Sequence, residues 1–308
     1  MPKPTIKPAL LNYYLHANGK NLDHTPGPFD PANLTSSAGV TVSNLGVNLE
    51  GTSGADLIVS TGDQRQLFGF EGNDLIFGSP QDDRINGATG IDVMVGGQGN
   101  DIYLVDDSRD RIIERPGEGI DTVSTSVGFT LPDNIENLYV TTNYISDDQP
   151  LVGNALDNNI VGSTWGYATL LGMDGNDRLS AGVRAGSLLN GGNGDDILLQ
   201  SVGECIGGAG ADTFVAAGRG ALSAPNVPIT ITDFNAAEGD RIVIYALQAY
   251  SSADLFASEA LHFDAATSQL VLDLDPTTTE AFSVDQIIYL TGVHTFDPTW
   301  VSVTDHPV

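Results

Sequence analysis

The sequence predicts an all-β fold: a parallel β-roll, or solenoid. It has two repeat-bearing stretches, a spacer of longer β-rungs between them and a C-terminal β-cap. Three observations carry this. Residues 51–104 divide without remainder into six nonads, beginning at Gly51, Ser60, Gly69, Gly78, Gly87 and Gly96. The same nonad returns at Gly172, Gly191 and Gly207. Glycine makes up 36 of 308 residues without the strict three-residue period of collagen, which suits an architecture made of turns. A fixed nine-residue period is the mark of a parallel β-helix or roll.

Seven of these nonads read G-x-x-G-x-D-x-(apolar)-x in full: GTSGADLIV, GFEGNDLIF, GATGIDVMV, GGQGNDIYL, GMDGNDRLS, GGNGDDILL and GGAGADTFV. Each position has a physical reason. Glycine supplies the positive φ of a tight turn and lets carbonyls converge on an ion. Aspartate at position six adds a hard oxygen ligand. The apolar residue at position eight lies on a short strand and points inward. Two nonads make one coil, so turns eighteen residues apart stack about 4.8 Å apart on the same edge.

Asp56, Asp74 and Asp92 then form one column, and Asp83 and Asp101 the opposite one. The first member of the second column is missing, because STGDQRQLF (60–68) keeps only the apolar eighth position. This consensus is a Ca²⁺-binding one, with several ions expected. A cation between turns would be shared by two carboxylates and several carbonyls. Without it the stacked carboxylates repel, so the roll is expected to fold with calcium and to be disordered without it.

In chain order, residues 1–50 read as an N-terminal cap over the first coil or as an arm that bridges subunits. Tyr13, Tyr14 and Phe29 are its aromatics, the cluster around Tyr13 being expected to serve packing rather than a binding site, and GVTVSNLGV (39–47) is expected to be a strand leading into the roll. Residues 51–104 are the first calcium roll. Residues 105–152 are a β spacer that continues the stack, where Gly119-x-Asp121 reads equally as a further cation turn or as a capped turn. Residues 153–215 are a second roll. There Asn158, Asp177, Asp196 and Asp212 supply ligands on one edge, an amide oxygen standing in at Asn158.

The other edge of the second roll has no such ligands but carries Trp165 and Tyr167, either loop packing or a contact surface for carbohydrate or protein. Residues 216–308 are the C-terminal β-cap. LHFDAATSQLVLDLD is expected to form a hairpin and 252–259 a short helix, while Asp233 and Asp240 read as one more cation site or as caps.

The net charge of −28 argues against nucleic acid and against anionic membrane surfaces and favours a multivalent cation. No run is long enough to span a membrane. Residues 1–20 lack the continuous apolar core of a cleavable signal peptide. The lone Cys205 excludes an intrachain disulfide and reads as a small buried residue.

The seven full nonads resemble those of the repeats-in-toxin (RTX) family of secreted bacterial calcium-binding proteins. GEGIDTVSTSVGFTLPDNIENLYV, LVGNALDNNIVGS and ITDFNAAEGDRIVI extend the resemblance over residues 50–305. It implies type I export from a diderm bacterium by an uncleaved C-terminal signal, and folding outside the cell. Many family members carry an enzyme. This sequence has no HExxH and no GxSxG, and its five histidines form no pair at metal-ligand spacing. The expectation from sequence is therefore a non-catalytic, self-assembling surface component: a surface-layer, filament, matrix or adhesin subunit. A calcium-dependent module that binds extracellular polysaccharide is the alternative, followed by an enzyme with an unrecognised site.

Overall fold

The computed structural model describes residues 39–43, 48–60, 66–141, 149–163, 166–181, 187–200, 202–217, 228–245, 260–272 and 286–304. The expectations placed on residues 1–38, on Trp165 and on a helix at 252–259 lie outside these. The fold is all-β: a parallel β-solenoid whose only helical element among the described residues is the 3₁₀ turn Pro298–Trp300. Two compact units are distinguished, Met1–Thr125 with Pro132–Ile135, and Ser126–Leu131 with Glu136–Val308.

In the first unit one sheet runs through Gly39–Ser43, Asp56–Ser60, Leu75–Phe77, Val93–Val95 and Arg111–Ile113. A second runs through Asn48–Glu50, Gln66–Glu71, Arg84–Thr89, Ile102–Val105 and Thr122–Thr125. These strands pair in parallel, and consecutive strands in the chain alternate between the sheets. Position eight stacks on position eight: Ile58 on Ile76, Ile76 on Met94, Met94 on Ile112. Opposite them stand Leu67, Ile85, Tyr103 and Val123. All eight side chains are buried. These rows fill the interior of the roll, as the nine-residue period predicts.

The first sheet is apolar on both faces. Leu57, Leu75, Phe77, Val93 and Val95 form a second buried cluster, with Val59 and Ile113 against it. DLIV, DLIF and DVMV are runs rather than alternations, the pattern of strands covered on both sides.

In the second unit one row stacks Leu138, Ile160, Leu179, Leu198, Phe214 and Ile242, all buried. The other stacks Phe129, Leu151, Leu170, Leu189, Cys205 and Ile231. Cys205 therefore occupies a core position of the repeat, and burial pushes its thiol pKa up. At the far end Leu261–Asp264 and Gln269–Leu272 pair antiparallel, the expected hairpin, and the latter pairs antiparallel with Gln286–Leu290. Phe214, Phe234, Trp300, Phe296 and Phe263 form a chain of ring contacts with centroids 5.0–6.2 Å apart beside these last strands.

Candidate metal centre

The aspartates at position six form hydrogen-bonded ladders. Each backbone N–H donates to Oδ1 of the aspartate one coil further on. Asp56 donates to Asp74 and Asp74 to Asp92, both at 2.8 Å, and Asp92 to Asp110 at 2.9 Å. On the opposite edge Asp83 donates to Asp101 and Asp101 to Asp121, both at 2.7 Å. In the second unit the ladder runs from Asn158 through Asp177, Asp196 and Asp212 to Asp240, with distances of 2.7–3.0 Å. One oxygen of each carboxylate is thereby committed to holding the next coil in register.

The second oxygen is not. Oδ2 of Asp74, Asp92, Asp101, Asp110, Asp177 and Asp196 is buried and accepts no hydrogen bond. Within the full nonads it faces space kept open by the first glycine of its own repeat. A Cβ on Gly69 would collide with Asp74 Oδ2 and lie 2.6 Å from the Gly87 carbonyl oxygen. On Gly191 it would collide with Asp196 Oδ2 and lie 2.6 Å from the Gly207 carbonyl. A carboxylate oxygen and a carbonyl of the following coil thus converge on one cradle free of side chains. Buried anionic oxygens without partners are costly, and hard oxygens in this arrangement suit Ca²⁺.

The electrostatics agree. Burial pushes the carboxyl of Asp74 up to about 6, those of Asp110, Asp177, Asp196 and Asp212 up to about 7, and those of Asp92 and Asp101 up to about 8. The amide each one accepts acts in the opposite direction. Neighbouring carboxylates, such as Asp110 for Asp92 and Asp121 for Asp101, add to the rise. A cation in the cradle would reverse this and keep the carboxylates ionised.

At the column ends the same oxygens are used locally. Asp56 Oδ2 accepts from the Thr52 amide and hydroxyl, and Asp83 Oδ2 from those of Ser79. Asn158 is buried, with Oδ1 accepting the Asn154 amide and Nδ2 reaching the Glu136 carbonyl. Asp240 has both oxygens engaged, by the amides of Asp212 and Asn235. Asp233 caps the amides of Gly207 and Gly208. Tyr167 is among the most exposed large apolar side chains, at 69%. Trp165, its expected companion, lies outside the described residues.

Three site features escaped the sequence reading. Asp110 continues the first column because 105–113 (VDDSRDRII) keeps aspartate at six and an apolar residue at eight without the glycines. Glu114 is buried beside Asp101 and Asp121. A second, outer ladder runs the other way through position five. The amide of Ile91 donates back to Asn73 Oδ1, Asn100 to Asp82, Ile120 to Asn100, Asn176 to Asp157, Asp195 to Asn176 and Ala211 to Asp195. The signal was the recurrent Asn or Asp just before the ligand aspartate.

Comparison with known proteins bears on these repeats. The RTX calcium-binding nonapeptide repeat family matches residues 66–111, with four copies. The endo-1,3-1,4-beta-glycanase ExsH of Rhizobium meliloti (strain 1021) is 40% identical over 105 residues, 34% of this chain and 20% of that protein. The endo-1,3-1,4-beta-glycanase EglC of the same strain is 38% identical over 68 residues, 22% of this chain and 15% of that protein. Among solved structures, the extracellular lipase LipA from Serratia marcescens aligns over 76% of this chain and 40% of its own, at 21% identity and a TM-score of 0.22.

The expectation that the chain is not an enzyme is corrected by these relatives, both named as glycanases. That expectation rested on missing HExxH and GxSxG motifs. Glycoside hydrolysis uses a pair of carboxylates with no fixed short signature, so the absence of those two motifs does not bear on it. Residues 66–111, which contain Asp74, Asp83, Asp92, Asp101 and Asp110, are RTX calcium-binding nonapeptide repeats.

Proposed function

We propose that this chain is an extracellular β-roll that folds on calcium and works on or at β-glycans, as the repeat module of a glycan-acting protein. The observation that carries the calcium part is the row of buried Oδ2 atoms without partners, set against the glycine cradles. In this reading Asp56, Asp74, Asp92 and Asp110 hold ions on one edge, and Asp83 and Asp101 on the other. Asn158, Asp177, Asp196, Asp212 and Asp240 serve the second unit, with carbonyls such as those of Gly87 and Gly207 completing the sites. Bound calcium supplies positive charge that offsets the stacked carboxylates. The chain's own residues hold the coils in register through Oδ1.

Two further points support the setting. Turn sites of this kind suit calcium at the roughly 10⁻⁴–10⁻³ M found outside cells. The resemblance to secreted repeat proteins points to type I export from a diderm bacterium by an uncleaved C-terminal signal. No helix among the described residues is long and apolar enough to cross a membrane. The glycan part is supported by the names of the partial relatives and by exposed Tyr167, an aromatic face of the kind that stacks on sugar rings.

The test incubates the whole chain with a mixed-linkage 1,3-1,4-β-glucan, with millimolar calcium or with chelator. Retention on the polymer and release of reducing ends are both read. Calcium-dependent retention or cleavage supports the reading; a folded, calcium-loaded chain that does neither overturns it. Light scattering on the same samples addresses assembly through residues 1–50. Calcium-dependent polymers without any effect of glucan would indicate a surface-layer, filament or matrix subunit instead.

A further inference from the structure

The second column of the first unit ends differently from the others. Its cradle glycines are Gly78 and Gly96, eighteen residues apart, and the same step onward lands on Glu114. The Glu114 side chain is 2% exposed and folds into the space that glycine leaves open elsewhere. A Cβ on Gly96 would meet Asp101 Oδ2, the Tyr103 hydroxyl and Glu114 Oε1 together. Carboxylate oxygens of Asp101, Glu114 and Asp121 all lie within 4.8 Å of one another, and all three residues are buried.

Hydrogen bonds account for only part of this cluster. Tyr103 takes position eight, where the stacked neighbours are Ile85 and Val123, and its hydroxyl donates to Glu114 Oε1. Asp121 Oδ1 accepts the Asp101 amide. Glu114 Oε2 and Asp101 Oδ2 remain buried with no hydrogen-bond partner. Two unsatisfied anionic oxygens beside a third carboxylate need a positive charge or a proton between them.

We infer that Asp101, Glu114 and Asp121 form a divalent-cation site of their own, built from three carboxylates rather than from an aspartate and glycine carbonyls. Such a donor set carries more charge than a nonad turn and suits a hard cation such as Ca²⁺. Its ligands come from the last full nonad of the first roll and from the two segments that follow it. An ion there would tie the end of that repeat to the non-repeat rungs. Tyr103 is a positioning residue: it fixes Glu114 by one oxygen and leaves the other for the metal.

The competing account is a proton shared between Glu114 and Asp101 in place of an ion. Native mass spectrometry of the whole calcium-loaded chain separates the two. Glu114→Gln keeps the acceptor for Tyr103 and the side-chain shape, and would satisfy Asp101 through its amide. The cation account expects one fewer bound calcium than in the unsubstituted chain; the shared-proton account expects the same number. Asp121→Asn, which keeps the acceptor for the Asp101 amide, should lose the same single ion and serves as the test if Glu114→Gln does not fold. An unchanged ion count in the folded variant would overturn the inference.

Discussion

The backbone amide of Asp177 donates to Oδ1 of Asp196 at 2.7 Å, while Oδ2 of the same Asp196 is buried and accepts nothing. One side chain thus commits one oxygen to the register of the coils and leaves the other open for the proposed ion. Asp196→Asn keeps an acceptor for the ladder and removes charge. Asp196→Ala removes both and strands the Asp177 amide, at a further cost of about 1–3 kcal/mol. In calcium titrations followed by circular dichroism, the midpoint should rise from the unsubstituted chain to Asn and again to Ala. Equal midpoints for Asn and Ala would show that the ladder contributes nothing.

Position within a column should matter. Each has one buried oxygen without a partner, Oδ2 in Asp74 and Oδ1 in Asp56, but Asp74 also accepts the buried Asp56 amide of the preceding coil, whereas Asp56 accepts only from Thr52 of its own turn. Asp74→Ala should therefore lower the melting temperature in calcium more than Asp56→Ala. The expected gap is on the order of the 1–3 kcal/mol that a stranded buried amide costs. Equal losses would contradict the ladder.

Acidity should act in opposite directions with and without the ion. Burial pushes the carboxyls of Asp92 and Asp101 in the folded chain up to about 8, above the ordinary 3.8. Across that window the folded form holds protons that the unfolded chain releases. The stability this gives is complete below the unfolded value and is lost as pH rises through the folded one. In chelator, β signal should therefore grow on acidification from about pH 8 towards about pH 4. In calcium, protons compete for the same oxygens, so the calcium midpoint should rise on acidification. A midpoint independent of pH would refute the assignment.

Position two of the nonad carries a removable strain. Met173 sits at φ 89° and pairs with Gly192 at 113°, which pairs with Gly208 at 106°. A left-handed conformation costs a side-chain-bearing residue about 1–2 kcal/mol, and Met173 is half exposed. Met173→Gly should raise the stability of the calcium-loaded chain by about 1 kcal/mol after the entropy cost of glycine, read as a higher melting temperature. A lower melting temperature would mean that the methionine makes contacts worth more than its strain.

The nine-residue period made the stacking legible: it put Ile58, Ile76 and Met94 in one interior row and Asp74 one coil from Asp92. What it hid has physical causes. Asp110 was missed because its segment lacks the glycines by which the repeat was recognised. Asp121 stayed ambiguous in sequence because the turn before it is longer, putting it twenty residues from Asp101. Glu114 stands where a glycine is expected, so no pattern of glycines reveals it. The position-five ladder was hidden because exposed Asn and Asp read as ordinary solvated turn residues. The buried outer face of the first sheet follows from apolar residues at positions seven and nine, which a reading of position eight alone passes over.

The central claim is that cations complete the carboxylate columns and so fold the roll. Far-ultraviolet circular dichroism of the whole chain, taken in millimolar calcium, then in excess EGTA, then with calcium restored, tests it most directly. The account predicts a β spectrum that gives way to that of a disordered chain and returns in full. A β spectrum that persists unchanged in excess EGTA at neutral pH would contradict it.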